Sequence, residues 1–214
     1  MTSRVISHAE VEQLRSQVGP YAIEGRGGAR NLLELEFVRD LATRASIRDI
    51  PTHILGDGCF AVRALLFDKT PGANWKVVWH QDLTIATQAR AEAAGYGPWT
   101  VKGGVSHVQP PTSVLESMLA VRIHLDPCGE DNGPVRVIDG SHRFGRLSAD
   151  SIDALRASEP AIDCIVEQGG ILAFRPLILH ASAPARTPNH RRVVHLEYAS
   201  CELAAPLQWH ARVA

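Results

Sequence analysis

The 214-residue chain lacks the run of roughly 20 apolar residues that a bilayer-crossing helix needs. Its longest apolar run, Ile171 to Leu179, is broken by Arg175-Pro176. It lacks a charge excess as well. With 22 basic and 23 acidic side chains there is no global field to recruit nucleic acid or an anionic membrane, and neither partner is expected. The four cysteines, Cys59, Cys128, Cys164 and Cys201, contain no Cys-x-x-Cys pair, which removes a zinc knuckle and a thiol redox motif from consideration. No apolar stretch follows Met1-Thr2-Ser3-Arg4, so reduced thiols and a cytoplasmic location are expected. The glycines of Gly25-Arg26-Gly27-Gly28-Ala29-Arg30 have no strand ahead of them and no Gly-Lys-Ser/Thr behind, so they form a loop and not a phosphate cradle. No basic cluster marks a coenzyme A surface, and there is no internal repeat.

What is present is a pattern of metal-ligand residues. His180 stands eleven positions before Arg191, and His80-Gln81-Asp82 lies a hundred residues upstream. Two histidines and one carboxylate make the facial triad that holds non-haem Fe(II) and leaves coordination positions open. Positions i and i+2 of a strand share a face, so His80 and Asp82 reach one metal while Gln81 points away. Arg191, beyond the last ligand, offers an anchor for the far carboxylate of a bound 2-oxo acid. His-x-Asp by itself is weak, since the chain repeats it as His124-Leu125-Asp126.

Context separates the two copies. The first ends Trp75-Lys76-Val77-Val78-Trp79-His80-Gln81-Asp82, and the distal region runs Gly169-Gly170-Ile171-Leu172-Ala173-Phe174-Arg175-Pro176-Leu177-Ile178-Leu179-His180-Ala181-Ser182, then Arg191-Arg192-Val193-Val194-His195-Leu196-Glu197-Tyr198-Ala199. With Asn132-Gly133-Pro134 and Val137-Ile138-Asp139-Gly140-Ser141-His142-Arg143, this order of motifs resembles the phytanoyl-CoA dioxygenase family of Fe(II)/2-oxoglutarate oxygenases, from about residue 60 to residue 200. The family usually has Pro where Asp139 stands. The resemblance implies that His80, Asp82 and His180 ligate iron and that Arg191 pairs with the 5-carboxylate of 2-oxoglutarate through two parallel donors. It implies that Ser182 places a hydroxyl on the same carboxylate and that Trp99 contacts the co-substrate. The reaction it implies consumes 2-oxoglutarate and O2, releases succinate and CO2, and hydroxylates an unactivated C–H bond. Halogenases of related architecture have a small residue in place of Asp82, so the intact carboxylate points to hydroxylation. A small molecule or natural-product intermediate is the expected substrate; neither its identity nor the oligomeric state is readable.

A hydrophobic content of 45% suits a single oxygenase domain over 1–214, with a helical part to about 50 and a core over about 52–205. Ser7 and Glu10 form a capping-box pattern ahead of a helix over 8–18, and near-helical spacing of apolar residues predicts a second helix over 31–45. Candidate strands follow at 59–68, 75–82, 118–126, 134–138, 162–167, 171–174 and 191–200, with a short helix over 148–157. Many short strands with few helices between them predict a mainly β sandwich or barrel. The double-stranded β-helix, a jelly roll with flanking N-terminal helices, is what the resemblance implies.

Other polar residues carry open readings. Arg122, His124 and Asp126 alternate on one strand face, which either lines the interior, putting Arg122 and His124 in a substrate pocket, or is solvated. Arg63, on the strand before the metal arm, lies where relatives such as ectoine hydroxylase have a polar pocket residue. His195 shares parity with Arg191 and reads as a hydrogen-bonded core histidine; His107 and His142 read as surface or loop-bracing. Two further functions stay open: a cupin-like metal-dependent isomerase or dioxygenase that does not use 2-oxoglutarate, and a non-catalytic jelly-roll binding module. Arg191 at its spacing counts against the first, and the joint presence of His80, Asp82 and His180 against the second.

Overall fold

The capping box forms as the sequence predicts. In the computed structural model, which describes residues 5–22, 25 and 27–214, helix α1 (His8–Val18) starts where Ser7 Oγ accepts from the Glu10 amide at 3.3 Å and the Glu10 carboxylate accepts from the Ser7 amide at 2.7 Å. Its spacing of Val11, Leu14 and Val18 buries one face. The expected helix over 31–45 is corrected. The segment is a 3-10 turn (Leu32–Glu34) and a helix α2 (Glu36–Thr43), and the extended backbone of Arg44 then breaks the run before α3 (Ala45–Leu55). Pro51 sits inside α3, where it forgoes one backbone hydrogen bond, so the helical part extends to Leu55, past the boundary near 52 that the pattern suggests.

Strand β1 (Gly28–Ala29) falls in the loop expected over residues 25–30, of which Arg26 lies outside the described residues. It pairs with β2 (Phe60–Lys69) so closely that a Cβ on Gly28 would overlap the Leu66 carbonyl oxygen. The chain continues through β3 (Val77–His80), β4 (Ile85–Thr87), β5 (Trp99–Lys102), β6 (Val105–Val108), α4 (Thr112–Glu116), β7 (Met118–His124), β8 (Val135–Ile138), α5 (Ala149–Ser158), β9 (Ala161–Cys164), β10 (Ile171–Phe174), β11 (His180–Ser182) and β12 (Arg191–Ala199). Two antiparallel sheets, ordered β1-β2-β12-β7-β10 and β3-β11-β8-β9, make the jelly roll, and β4-β6-β5 forms a third sheet. The sequence reading misses β4, β5, β6 and β11, each of three or four residues.

The first sheet is buried on both faces. On β7, Leu119, Val121 and Ile123 join Leu41, Ile47 and Val18 in the core beneath the helices. The alternate residues Ala120, Arg122 and His124 face the interior between the sheets, which is why every β7 residue is buried. Tyr198 on β12 ties the layers together, its hydroxyl donating to the Ala42 carbonyl at 2.8 Å. All four cysteines are free. Among the described residues no helix is long and apolar enough to cross a membrane.

Candidate metal centre and anion pocket

Strands β3 and β11 lie side by side, with His80 opposite His180. Their rings are 4.2 Å apart between centroids. Further along, Ser182 is opposite Val77, so Ala181 of β11 stands against both Val78 and Trp79 of β3. This bulge lets Val77 and His80 both face inward. The sequence reading carries both ligands of the proximal arm on one strand; the structure ends β3 at His80. Asp82 stands in the extended segment beyond, its amide donating to the Pro176 carbonyl at 2.9 Å. Gln81 points away as expected, and its buried amide is a clamp. It donates to the carbonyls of Gly145 at 2.8 Å and Leu177 at 2.6 Å, and accepts from the Leu147 amide at 2.8 Å.

His80 Nε2 lies 3.6 Å from Asp82 Oδ1, and His180 Nε2 lies 3.6 Å from Asp82 Oδ2. These gaps are too long for good hydrogen bonds, and the three ligand atoms lie within 4.8 Å of one another, the span of donors around one ion. Each imidazole approaches a carbonyl on its other side, His80 Nδ1 to Val78 O at 2.8 Å and His180 Nδ1 to Ile178 O at 2.9 Å. A carbonyl only accepts, so the protons sit on Nδ1 and both Nε2 lone pairs face Asp82. Such partners are what orient metal-binding histidines. Burial, partly opposed by Asp82, pulls His180 down to about 4. Burial also acts to lower His80, yet the adjacent Asp82 raises it on balance. Burial acts to raise Asp82, but the two histidines beside it hold its carboxyl well below the ordinary range. The donor set fits a hard or borderline divalent ion.

Two residues on from His180, roughly 6.5 Å along a strand, Ser182 begins a second constellation. Its hydroxyl donates to the Gly133 carbonyl at 2.9 Å and accepts from Lys69 Nζ at 2.8 Å. Arg191 Nη1 reaches Ser182 Oγ at 3.5 Å and also donates to the Gly133 carbonyl, while Lys69 donates to the Ala183 carbonyl. Gly133 has φ +59, and a Cβ there would lie 2.4 Å from the Ala183 oxygen and 3.0 Å from Lys69 Nζ. Only glycine fits that turn. Two buried cations thus meet without a carboxylate between them, because Asp68 is taken on its own side by His190 at 2.9 Å and by the Arg191 amide at 3.3 Å. Arg191 Nε is buried without a partner. Burial and then Arg191 push Lys69 down to about 8. Among the described residues no counter-charge stands between the two cations, an arrangement that suits an anion. Sequence reasoning missed Lys69, although it shares strand parity with Arg63, Leu65 and Phe67, because the expected strand stopped at 68.

The metal cluster shares one cavity of about 140 Å³ with Ser182 and Arg191, with Leu65, Phe67 and Val77 as apolar wall, and Lys69 stands behind Ser182. Of the remaining candidates, Arg63 and Arg122 line it. His195 lines it too, and is hydrogen-bonded as expected. Arg122 Nη1 approaches its Nδ1 at 3.3 Å, which leaves Nε2 to donate to Glu197 at 3.3 Å, and Arg63 meets Glu197 at 3.5 Å. Trp99 does not line the cavity. From β5 of the third sheet it packs against the cluster that holds Phe60 and Trp209, which corrects its expected contact with the co-substrate. His107 is corrected as well: it is buried on β6, with Nδ1 3.0 Å from the Val105 carbonyl. His142 is half-buried in the 3-10 turn Ser141–Phe144.

Among the described residues the second His-x-Asp belongs to no cluster of metal-ligating groups. Asp126 is held by Arg192 at 2.9 Å through both oxygens and by Arg15. His124 is buried, neither of its ring nitrogens is hydrogen-bonded among the described residues, and it does not line the cavity. Burial, then Arg122 and Arg191, push it to about 3, so it is neutral. An unsatisfied buried polar group costs about 1–3 kcal/mol. His124→Leu is therefore expected to stabilise the fold by about that amount, read as a higher urea midpoint; a lower midpoint would contradict the unpartnered reading.

Comparison with known proteins follows the same lines. The family model described as Phytanoyl-CoA dioxygenase (PhyH) matches residues 3–193. No curated protein matches the sequence. Among solved structures, AviO1 from Streptomyces viridochromogenes Tue57 is 20% identical with a TM-score of 0.63, covering 94% of this chain and 89% of its own. EctD from S. alaskensis with bound Fe is 19% identical with a TM-score of 0.71, covering 96% and 74%. SnoN, a non-heme alpha ketoglutarate dependent epimerase from nogalamycin biosynthesis, is 15% identical with a TM-score of 0.66, covering 92% and 75%. At such identities the likeness establishes the fold.

Proposed function

The chain belongs to the phytanoyl-CoA dioxygenase family, and from that premise we propose a non-haem Fe(II)- and 2-oxoglutarate-dependent oxygenase that hydroxylates an unactivated C–H bond of a small molecule. The observation that carries this reading is the meeting, on one cavity, of the His80-Asp82-His180 cluster with Ser182 and Arg191, Lys69 reaching Ser182 from behind. His80, Asp82 and His180 hold Fe(II), and Arg191, Lys69 and Ser182 hold the 5-carboxylate of 2-oxoglutarate. Bound iron and 2-oxoglutarate together supply O2-dependent oxidation, with succinate and CO2 released. The protein orients and encloses. Leu65, Phe67 and Val77 exclude water from the oxidising centre, and the Arg122-His195-Glu197-Arg63 chain fixes the polar wall opposite it. The buried cation pair disfavours a reading without 2-oxoglutarate, since that chemistry leaves Lys69 and Arg191 without an anion.

A mass-spectrometric screen of small molecules with Fe(II), 2-oxoglutarate and O2 tests the activity. The expected hit gains one oxygen atom with matched succinate. Because SnoN is named as an epimerase, the screen also scores inverted stereocentres, and succinate formed with inversion and no oxygen gain would replace hydroxylation with epimerisation.

Lys69 gives the co-substrate site a pH signature. Its pKa of about 8 is depressed, so it is charged below that pH and loses its charge as pH rises through it. Affinity for 2-oxoglutarate is expected to fall from pH 7 to 9, with up to one proton taken up on binding at the alkaline end. Calorimetry in buffers of different ionisation enthalpy reads the uptake. Lys69→Met should bind more weakly and with a flat profile; a parent-like slope in that variant would remove Lys69 from the anchor.

A further inference from the structure

The cavity of about 140 Å³ is smaller than the roughly 300–1,000 Å³ of sites that enclose drug-sized ligands. It accommodates a co-substrate, and a second reactant must extend beyond it. The way out is given by shared walls. Leu65, Phe67 and Trp75 line both the cavity and an adjoining groove of about 290 Å³, whose far side is Gly27 to Arg30. Arg30 lines this groove and Arg63 the cavity, and Lys102 stands beside Arg63 on a shared partner. Arg63 Nη1 approaches the Thr84 carbonyl at 3.5 Å, and Lys102 Nζ donates to Thr84 Oγ1 at 2.8 Å, so both are fastened to the residue two positions beyond Asp82. Arg30 lies over the turn that follows Lys102: its Cδ is 3.4 Å from where a Gly103 Cβ would be, and Asn31 Nδ2 donates to the Gly103 carbonyl at 3.2 Å.

The two described carboxylates that act on these cations, Glu197 and Asp82, are both engaged elsewhere. Glu197 is shared between Arg63 and His195, and Asp82 belongs to the metal cluster. Among the described residues, neither Arg30 nor Lys102 has a carboxylate partner. Burial, followed by repulsion from Arg63, lowers the pKa of each. An incoming anion relieves that repulsion and gains charge-assisted hydrogen bonds. The sequence shows no basic cluster because residues 30, 63 and 102 are adjacent only in the fold.

We infer that the primary substrate is a small molecule bearing an oxyanion, a carboxylate or a phosphate ester, which docks on Arg30, Arg63 and Lys102 while its reacting carbon enters the cavity. This deepens the oxygenase reading and rests on it. The test uses protein loaded with Zn(II) in place of Fe(II), to keep the site diamagnetic, and saturated with 2-oxoglutarate, so that the Arg191 pocket is filled. Acetate, methyl phosphate and acetamide are titrated at constant ionic strength, and binding is followed by NMR chemical shifts. At least one anion is expected to bind at least tenfold more tightly than acetamide, with the stronger of the two naming the group. Arg30→Ala/Lys102→Ala should raise that dissociation constant at least tenfold while leaving the Fe(II)–2-oxoglutarate absorption under argon unchanged. Equal binding of acetamide, no anion binding in the parent, or parent-like binding in the double variant would overturn the inference. Failure of the chelate absorption in the parent would instead overturn the oxygenase reading, and the anion titration, repeated without metal, still reports on the mouth.

Discussion

Single replacement of His80, Asp82 or His180 by Ala is expected to abolish measurable Fe(II) binding, whereas His124→Ala keeps it. Loss of a residue that merely orients a ligand costs a metal site about 10–100-fold in affinity, so loss of one of three ligands should exceed that. The two His-x-Asp copies differ in what their carboxylates do. Asp82 faces two imidazoles whose Nδ1 protons are turned away to carbonyls, and Asp126 is neutralised by Arg192 and Arg15. Fe(II) titration under argon decides between them. Metal lost by His124→Ala and kept by His80→Ala would move the centre to β7, outside the cavity, and sink the assignment.

Arg191→Leu is expected to retain iron and to raise the 2-oxoglutarate dissociation constant about thirtyfold or more. Removing one partner of a buried charge pair costs roughly 2–5 kcal/mol, because the other charge is left unpaired. Lys69 beside it, held by Ser182 and the Ala183 carbonyl, limits the loss to the lower part of that range. Ser182→Ala should lose less, since it removes one neutral hydroxyl. Arg192, one residue along β12, points to the opposite face and binds Asp126, so Arg192→Leu should leave co-substrate affinity near the parent and lower stability instead. The visible absorption of the anaerobic Fe(II)–2-oxo acid chelate is the readout. Parent-like titration of Arg191→Leu, or a larger defect in Arg192→Leu, would reject the anchor and the strand register together.

The sequence by itself determined the local structure that needs only neighbours. The capping box at Ser7 and Glu10 marked α1, and runs of β-branched and apolar residues between turn clusters marked β2, β7 and β12. The ligand-type residues stood out because His, Asp and Arg in that order and spacing have few structural uses in common. Their roles came from the family resemblance, and the structure contributes the distances that bring His80, Asp82 and His180 together.

Only the tertiary structure decided which polar residues share a cavity. Strand parity put Arg122 and His124 on one face, yet only Arg122 reaches the cavity, and Trp99 was carried to the third sheet. Lys69 faces Ser182 across 113 positions, and Arg30, Arg63 and Lys102 meet through Thr84 and the turn at Gly103. The physical reason is that a jelly roll pairs strands far apart in the chain: β3 with β11, and β2 with β12. Pattern within a strand says which way a side chain points, and the pairing of strands alone says what it meets.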